Sequence, residues 1–140
     1  MKRVLVLGAG LVSRPLVRYL LEQPDFEVTI ASRTKSKADA LIAGHHKGHT
    51  TDLLTEDTAK LEKLVREHDL AISLLPAPQH PVVAEMCVRH RKHMVTTSYI
   101  SPKMRVLDKP ARDAGVTLLN EIGVDPGIDH MSAMRIIHDV

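Results

Sequence analysis

Residues 4–16, VLVLGAGLVSRPL, carry the feature that most constrains the fold of this chain. Four apolar residues lead into a Gly-Ala-Gly turn, and the residues after it have the spacing of an amphipathic helix. Glycines at such a junction allow a sharp turn and a close approach to the pyrophosphate of a dinucleotide, which lies at the helix N-terminus. Ser13 replaces the usual third glycine, where a small residue still permits helix–strand packing. The segment predicts a dinucleotide site.

Short apolar runs and amphipathic segments alternate along the rest of the chain, which is typical of β-α-β units. The patterns predict strands at 4–7, 27–31, 70–75, 93–97 and 116–120, and helices at 11–22, 35–43, 56–67, 81–90, 102–114 and from 128 onward. Residues 45–53, HHKGHTTDL, lie where a further strand would be expected, although they are polar. We therefore predict an α/β fold, a Rossmann-type doubly wound and mainly parallel sheet with helices on both faces.

Composition excludes several classes of function. A net charge of +2 and an aromatic content of 2% argue against nucleic acid as a partner. No run approaches the roughly 18 apolar residues of a membrane span, and no signal peptide opens the chain. The single cysteine, Cys87, falls among apolar neighbours in a predicted helix and is expected to pack rather than react. These features predict a cytoplasmic protein.

The residues after the second strand indicate which dinucleotide binds. Proteins that bind NAD place Asp or Glu there for the ribose 2′-hydroxyl, whereas this chain has Ser32-Arg33-Thr34. The planar guanidinium of Arg33 suits a 2′-phosphate. The alternative is that Arg33 is a solvated loop residue. We predict NADP as the cofactor.

Loop residues also follow predicted strands at Pro76, 97–99 and 121–127, among them the polar Ser98, Tyr99 and Asp125. Ligands bind outside the carboxyl ends of strands in a doubly wound sheet, so the chemistry is expected at that edge. His80, after LLPAPQ, is a further candidate to face the cleft. No metal site is predicted: three histidines, His45, His46 and His49, have no acidic or cysteine partner at a suitable spacing, which indicates an exposed polar loop.

Two later segments, VTTSYISPKM (95–104) and NEIGVDPGIDHM (120–131), together with the glycine turn, strongly resemble the NADP-dependent, glutamate-forming saccharopine dehydrogenases (saccharopine reductases). The resemblance extends from residue 4 to the last residue. It implies an oxidoreductase of lysine metabolism acting on CH–NH groups. Such enzymes join L-glutamate and 2-aminoadipate 6-semialdehyde through an imine and reduce it with NADPH, or run the reverse.

The resemblance also implies site residues. The expected cofactor contacts are Gly8, Ala9, Gly10, Leu11 and Val12 at the turn, Ser32, Arg33 and Thr34 at the 2′-phosphate, Asp52 and Leu53 near the adenine, and Leu75, Thr97, Ser98, Val124, Asp125 and Pro126 on the nicotinamide side. The HHKGHT stretch before Asp52 is more polar than the family's strand there. Ser98, Tyr99 and Asp125 are expected to bind a saccharopine-like amino-acid substrate.

Two of these residues suit imine chemistry and are the predicted catalytic residues. The carboxylate of Asp125 can stabilise an iminium, and Tyr99 can donate a hydrogen bond or relay a proton. Each residue also has a structural alternative. Asp125, which precedes Pro126, would only form a turn, and Tyr99 would be a half-buried aromatic at a strand end.

The resemblance divides the chain into an NADP-binding domain (1–127) and the start of a helix (128–140) that leads into a missing domain for substrate and dimer contacts. The full-length protein is then expected to be a homodimer, and the 140 residues alone to have little or no turnover. Two other functions stay open at this point: a stand-alone nucleotide-sensing Rossmann module, and a related reductase of another amine-linked amino acid, such as a carboxynorspermidine-type enzyme.

Overall fold

The computed structural model describes all residues, 1–140, and consists of one sheet with helices on both sides. The strands are β1 (Lys2–Leu7), β2 (Phe26–Ser32), β3 (Gly48–Asp52), β4 (Leu70–Ser73), β5 (His93–Thr96) and β6 (Leu118–Leu119). The helices are α1 (Ser13–Glu22), α2 (Lys35–Ile42), α3 (Thr58–Glu67), α4 (His80–Arg89), α5 (Pro102–Arg105), α6 (Asp108–Ala114) and α7 (Ile128–Asp139), with a short 3-10 helix (Ala77–Gln79) before α4.

The strand order is β3-β2-β1-β4-β5-β6, and every neighbouring pair is parallel. The chain runs outward from β1 to β3, crosses back to place β4 on the other side of β1, and then runs outward to β6. The predicted doubly wound fold is confirmed. Its two halves diverge between β1 and β4, the position at which such sheets bind ligands.

Strand β1 links the two halves of the core because its residues alternate between the two faces of the sheet. Leu5 and Leu7 pack with α3 and α4 on one face, and Val4 and Val6 pack with α1 and α2 on the other. All four side chains are at most 1% exposed. Burial on both faces explains why residues 4–7 of this strand are a continuous apolar run, whereas Lys2 and Arg3 at its start are exposed.

The polar segment 45–53 does contain a strand, β3, although its sequence lacks the apolar pattern. As the edge strand, β3 pairs only with β2, in register from Val28↔Gly48 to Ser32↔Asp52. A Cβ at Gly48 would lie 2.5 Å from Cγ2 of Ile42, so the strand crosses α2 closely where glycine leaves room. His49 is therefore in a strand and not in a loop; it is exposed and lies 2.8 Å from Glu27.

Several predicted boundaries are wrong. The predicted helix 102–114 is two helices, α5 and α6, separated by Val106 and Leu107. Helix α1 begins at Ser13 rather than at residue 11, because the glycine turn occupies the preceding residues. Strand β4 ends at Ser73, and β6 has only two residues.

The helix predicted from residue 128 is present as α7, and none of its residues is buried. Its exposed apolar side chains are Ile128, Met131, Met134, Ile136 and Ile137. With twelve residues it is the longest helix, and no helix in the chain has the length and apolar character needed to cross a bilayer.

Candidate functional site

The glycine turn after β1 requires glycine at its first position. Gly8 has φ +110°, and a Cβ there would lie 3.2 Å from the carbonyl oxygen of Leu74. Its N–H donates to the Ala31 carbonyl at 2.9 Å, which continues the pairing of β1 with β2. A Cβ at Gly10, by contrast, would meet no atom within 4 Å. Gly8 thus shapes the backbone, while Gly10 leaves open space in front of the turn.

The N-terminus of α1 faces this open space without a side-chain cap. Val12, at the N-cap, makes no capping hydrogen bond, and the first turn contains no acidic residue. Ser13 is fully buried, and its Oγ has no hydrogen-bond partner. Free backbone N–H groups at a helix N-terminus attract anions. The turn therefore fits the pyrophosphate of a dinucleotide.

A cavity of about 280 Å³ lies at the carboxyl ends of β1, β2 and β4, beside the glycine turn. Eight of the predicted cofactor residues line it: Gly8, Ala9, Gly10, Ser32, Arg33, Thr34, Leu53 and Leu75. Six residues that were not among the predicted cofactor contacts complete the wall: Ala31, Lys37, Thr55, Leu74, Pro76 and Gln79. The wall contains two cations and no acidic residue, so the cavity fits a phosphate better than a bare ribose hydroxyl.

The two cations come from the loop after β2 and the first turn of α2. Arg33 and Lys37 both line the cavity, whereas neighbouring Lys35 is paired with Asp39 at 3.2 Å. The Oγ of Ser32 accepts the Thr34 N–H at 3.2 Å and so fixes the loop between them. Lys37 was missed by sequence reasoning; its position four residues after Arg33, at the start of a predicted helix, was the available signal.

The other eight predicted cofactor residues lie outside the cavity wall. Three of them are Leu11, Val12 and Asp52, and the other five belong to a second group of residues at the end of β5. Leu11 and Val12 are exposed, 102% and 76%, so their side chains are free to contact a ligand. Asp52, at the end of β3, forms an ion pair with Lys60 at 3.0 Å. The hydrogen bond from Lys60 lowers the pKa of that carboxyl.

The remaining predicted residues form a second group at the end of β5. The Tyr99 hydroxyl donates to Oδ1 of Asp125 at 2.6 Å. This bond, reinforced by negative charge nearby, raises the pKa of Tyr99 to about 12. Two backbone hydrogen bonds hold the segment after β6 against β5, from Glu121 N–H to the Ser98 carbonyl (3.1 Å) and from Ile122 N–H to the Thr96 carbonyl (3.3 Å).

A tight turn presents Asp125 and Val124 to solvent. The Gly123 N–H donates to the Pro126 carbonyl, and the Ile128 N–H donates to the Gly123 carbonyl, both at 2.9 Å. The Asp125–Pro126 peptide bond inside this turn is cis. A Cβ at Gly127 would overlap the backbone of Gly123. The sequence VDPG therefore folds as a closed turn with the Asp125 carboxylate at its tip.

This second group is acidic overall. Besides Asp125, the carboxylates of Asp129 and Glu121 contribute to the raised pKa of Tyr99. They also raise the pKa of His130, chiefly through its 2.7 Å hydrogen bond with Asp129. The His130 ring meets the edge of Tyr99, with centroids 6.5 Å apart. Such a group stabilises a positive charge on a ligand that approaches it.

His80 does not face the cleft as the sequence suggested. It opens α4 and is 3% exposed, with its ring enclosed behind Ser98, and burial lowers its pKa.

The parallel sheet, the uncapped glycine turn and the cationic cavity together define a dinucleotide-binding domain of the Rossmann type. Residues 4–119 match the family model described as the saccharopine dehydrogenase NADP-binding domain, and the chain belongs to this family.

Longer proteins of the same family are similar along the whole chain. Saccharopine dehydrogenase [NADP(+), L-glutamate-forming] of Schizosaccharomyces pombe is 46% identical over 140 residues, 100% of this chain and 31% of that protein. Mitochondrial alpha-aminoadipic semialdehyde synthase of Mus musculus is 44% identical over 97% of this chain and 15% of that protein. The apo saccharopine dehydrogenase (L-Glu forming) structure from Saccharomyces cerevisiae superposes with a TM-score of 0.91 at 40% identity, covering 100% of this chain and 31% of that one. The chain thus spans about a third or less of these relatives.

Proposed function

We propose that this chain is the NADP-binding part of a saccharopine dehydrogenase of the glutamate-forming type. The observation that carries the proposal is the 46% identity along the entire chain to an enzyme of that name. In the proposed reaction, the amine of L-glutamate and the aldehyde of 2-aminoadipate 6-semialdehyde condense with loss of water. Reduction of the resulting imine, with one hydride to carbon and one proton to nitrogen, gives saccharopine, and the reverse reaction oxidises it.

The proposed binding roles follow the two groups of residues. The turn at Gly8–Gly10 takes the pyrophosphate, and Arg33 with Lys37 takes the 2′-phosphate. Leu53 borders the adenine. Leu75, Thr97 and Ser98, with Val124 and Pro126, border the nicotinamide ribose. NADPH, when bound, supplies the hydride.

The acidic group at the end of β5 would act on the substrate nitrogen. An iminium is positively charged, and the carboxylate of Asp125 offers its second oxygen while the first accepts from Tyr99. Because the pKa of Tyr99 is raised to about 12, the phenol stays protonated near neutral pH. We therefore assign Tyr99 the role of hydrogen-bond donor that orients Asp125 and the substrate, rather than that of a base.

Calorimetric titration of the chain with NADPH and NADH, side by side, tests the cofactor assignment. We expect NADPH to bind more tightly, and Arg33→Ala to weaken NADPH binding by roughly 10-fold to 100-fold, the range for a charge-assisted hydrogen bond. NADH binding should be unaffected. Arg66→Ala, an exposed arginine on α3, is the matched control. Equal affinity for both dinucleotides would contradict the 2′-phosphate assignment.

A spectrophotometric assay of the complete protein with saccharopine and NADP tests the reaction. Asp125→Asn should lower turnover by about two orders of magnitude or more if the carboxylate stabilises charge in the transition state. We expect the 140 residues alone to turn over little or no saccharopine. Turnover with carboxynorspermidine, in the absence of activity on saccharopine, would assign the protein to another amine-linked substrate.

We further propose that residues 1–127 form the NADP-binding domain and that 128–140 lead into a substrate and dimerisation domain of a cytoplasmic homodimer. The uncovered apolar side chains of α7 support this division, since such residues are normally packed. Light scattering and cell fractionation of the complete protein test the oligomeric state and the location.

A further inference from the structure

A buried hydrogen-bond network joins the ends of β4, α4 and β5 through His80. Its Nδ1 lies 2.9 Å from the Ser73 hydroxyl. Its Nε2 lies 2.8 Å from the Ser98 hydroxyl and 3.1 Å from that of Thr96. Ser73, His80 and Thr96 are at most 3% exposed, whereas Ser98 is half-buried and lies two residues beyond the end of β5.

One arrangement of protons satisfies all the hydrogen bonds of this network at once. The Thr96 hydroxyl donates to the Ser73 carbonyl at 3.0 Å, so towards His80 it can only accept. Nε2 must then carry the ring proton. Nδ1 is consequently unprotonated and accepts a hydrogen bond from the Ser73 hydroxyl. Burial, which lowers the pKa of His80, keeps the ring neutral in this tautomer.

This arrangement determines how Ser98 can bond. Its Oγ accepts from His80 Nε2, so the hydroxyl proton cannot be used on the imidazole, and it has no other acceptor among the hydrogen bonds of the chain. Because Ser98 is partly exposed, this proton is free for an acceptor outside the chain. A buried histidine that served only to fill space would not need a polar contact with the half-buried Ser98, because an apolar side chain would cost less to bury.

We propose that His80 is a positioning residue that fixes Ser98 as a hydrogen-bond donor to an oxygen of the bound dinucleotide on its nicotinamide ribose side. The identity of the ligand rests on the proposed function, whereas the tautomer of His80 rests on the hydrogen bonds alone. His80 does not touch the ligand; it acts through Ser98, whereas Ser73 and Thr96 act only by fixing the imidazole.

Long-range ¹H–¹⁵N NMR of the chain labelled at histidine tests the tautomer without any ligand. The His80 signals, identified by their absence in His80→Gln, should show a protonated Nε2 and an unprotonated Nδ1 at pH 7.5. Ser98→Ala should shift the Nε2 signal and leave the tautomer unchanged. A protonated Nδ1 would overturn the proposal, because Ser98 would then donate to the ring.

A double-mutant cycle on NADPH binding tests the coupling. Ser98→Ala and His80→Asn should each weaken binding by roughly 3-fold to 10-fold, the range for one hydrogen bond. The double variant should be no weaker than Ser98→Ala alone. His80→Gln, whose amide can place a donor near the position of Nε2, should restore at least half of the lost affinity. His68→Gln, at an equally buried histidine outside the site, should change stability but not binding.

The outcomes separate the two proposals. Independent effects of the two substitutions, multiplying in the double variant, would overturn the role of His80. Failure of the wild-type chain to bind NADPH would count against the proposed function, and the NMR measurement would then decide the tautomer alone. If His80→Asn does not fold, the NMR comparison of wild type with Ser98→Ala and the His80→Gln titration decide the matter.

Discussion

Tyr99 donates its phenol proton to Oδ1 of Asp125 at 2.6 Å, across a sequence separation of 26 residues. The bond joins the end of β5 to the tip of the turn 123–127, so it connects two segments that lie far apart in sequence. It places a neutral donor next to a carboxylate at an exposed position. The behaviour of this pair can be measured directly.

Removing the carboxylate should return the Tyr99 phenol toward its ordinary pKa. In Asp125→Asn, the phenolate no longer faces the charge that raises its pKa to about 12, so ionisation should begin at lower pH. The chain has two tyrosines and no tryptophan, so absorbance titration in a Tyr19→Phe background follows Tyr99 alone. An unchanged titration curve in the Asp125→Asn variant would contradict the hydrogen bond. Glu85→Gln, at an exposed carboxylate on α4, is the control.

Two lysines of α2 should contribute unequally to NADPH affinity. Lys37 lines the cationic cavity, whereas Lys35 is held by Asp39. Lys37→Ala should weaken binding of NADPH by roughly 3-fold or more, and Lys35→Ala should change it less than 2-fold. Both variants lose one positive charge, so the comparison removes the effect of net charge. Equal losses of affinity would mean that NADPH binding depends on the net charge of the chain and not on the position of the lysine.

The two glycines of the turn should separate stability from binding. Gly8→Ala forces a side chain into the positive-φ region and against the Leu74 carbonyl, so it should cost about 1–3 kcal/mol of unfolding free energy. Gly10→Ala meets no protein atom and should cost less than about 0.5 kcal/mol, yet weaken dinucleotide binding. Urea unfolding followed by circular dichroism, together with NADPH titration, measures both effects. A stable Gly8→Ala variant would contradict the close approach to Leu74.

The stability of the fold should fall as the solution becomes acidic below the ordinary histidine pKa of 6.5. Burial lowers the pKa of His68 and His80 in the folded state, so the unfolded chain takes up protons first. Each histidine lowers the free energy of unfolding by at most about 1.4 kcal/mol for every pH unit between its unfolded-state and folded-state pKa values. Urea unfolding at pH 7.5 and 5.5 measures the loss.

The matched variant for that measurement is His68→Leu. Its free energy of unfolding should fall less than that of the wild type between pH 7.5 and 5.5. His130 acts in the opposite direction, because its raised pKa stabilises the fold at low pH and that contribution disappears as the pH rises. The difference between wild type and His68→Leu cancels the His130 contribution. An equal loss in the two proteins would contradict the burial of His68.

The single cysteine should be unreactive in the folded chain. Cys87 is fully buried in α4, and burial raises its pKa to about 12, so little thiolate forms near neutral pH. A thiol reagent should modify it only after denaturant is added. Rapid labelling of the native chain would mean that α4 opens locally.

The strand pattern was predictable wherever burial imposed it, as at Val4–Leu7, whose residues are apolar because both faces of β1 are covered. Strand β3 could not be predicted from hydrophobicity, because an edge strand obtains its backbone hydrogen bonds from β2 whatever its side chains are. The break near Val106 had a signal that the prediction missed. Pro110 would lie in the interior of a helix 102–114 and could not donate to the Val106 carbonyl, whereas in the structure it lies in the first turn of α6.

The site divides in a similar way. Gly8 and Arg33 could be predicted because turn geometry or phosphate chemistry restricts the residue type at a known offset from a strand, whereas Asp125 was indicated by the family resemblance. The packing of His80 behind Ser98 could not, because it depends on three elements meeting at one edge of the sheet. No periodicity encodes the orientation of an imidazole within such a network.

The central position of β1 has a consequence for how the molecule opens. Strand β1 is hydrogen-bonded to β2 on one side and β4 on the other, and Asp69 contacts the backbone of Arg3 across 66 residues. Without β1, the sheet would consist of two strips with no backbone link. Amide hydrogen exchange in β1, β2 and β4 should therefore require one shared global opening, while the uncovered helix α7 exchanges through local fraying.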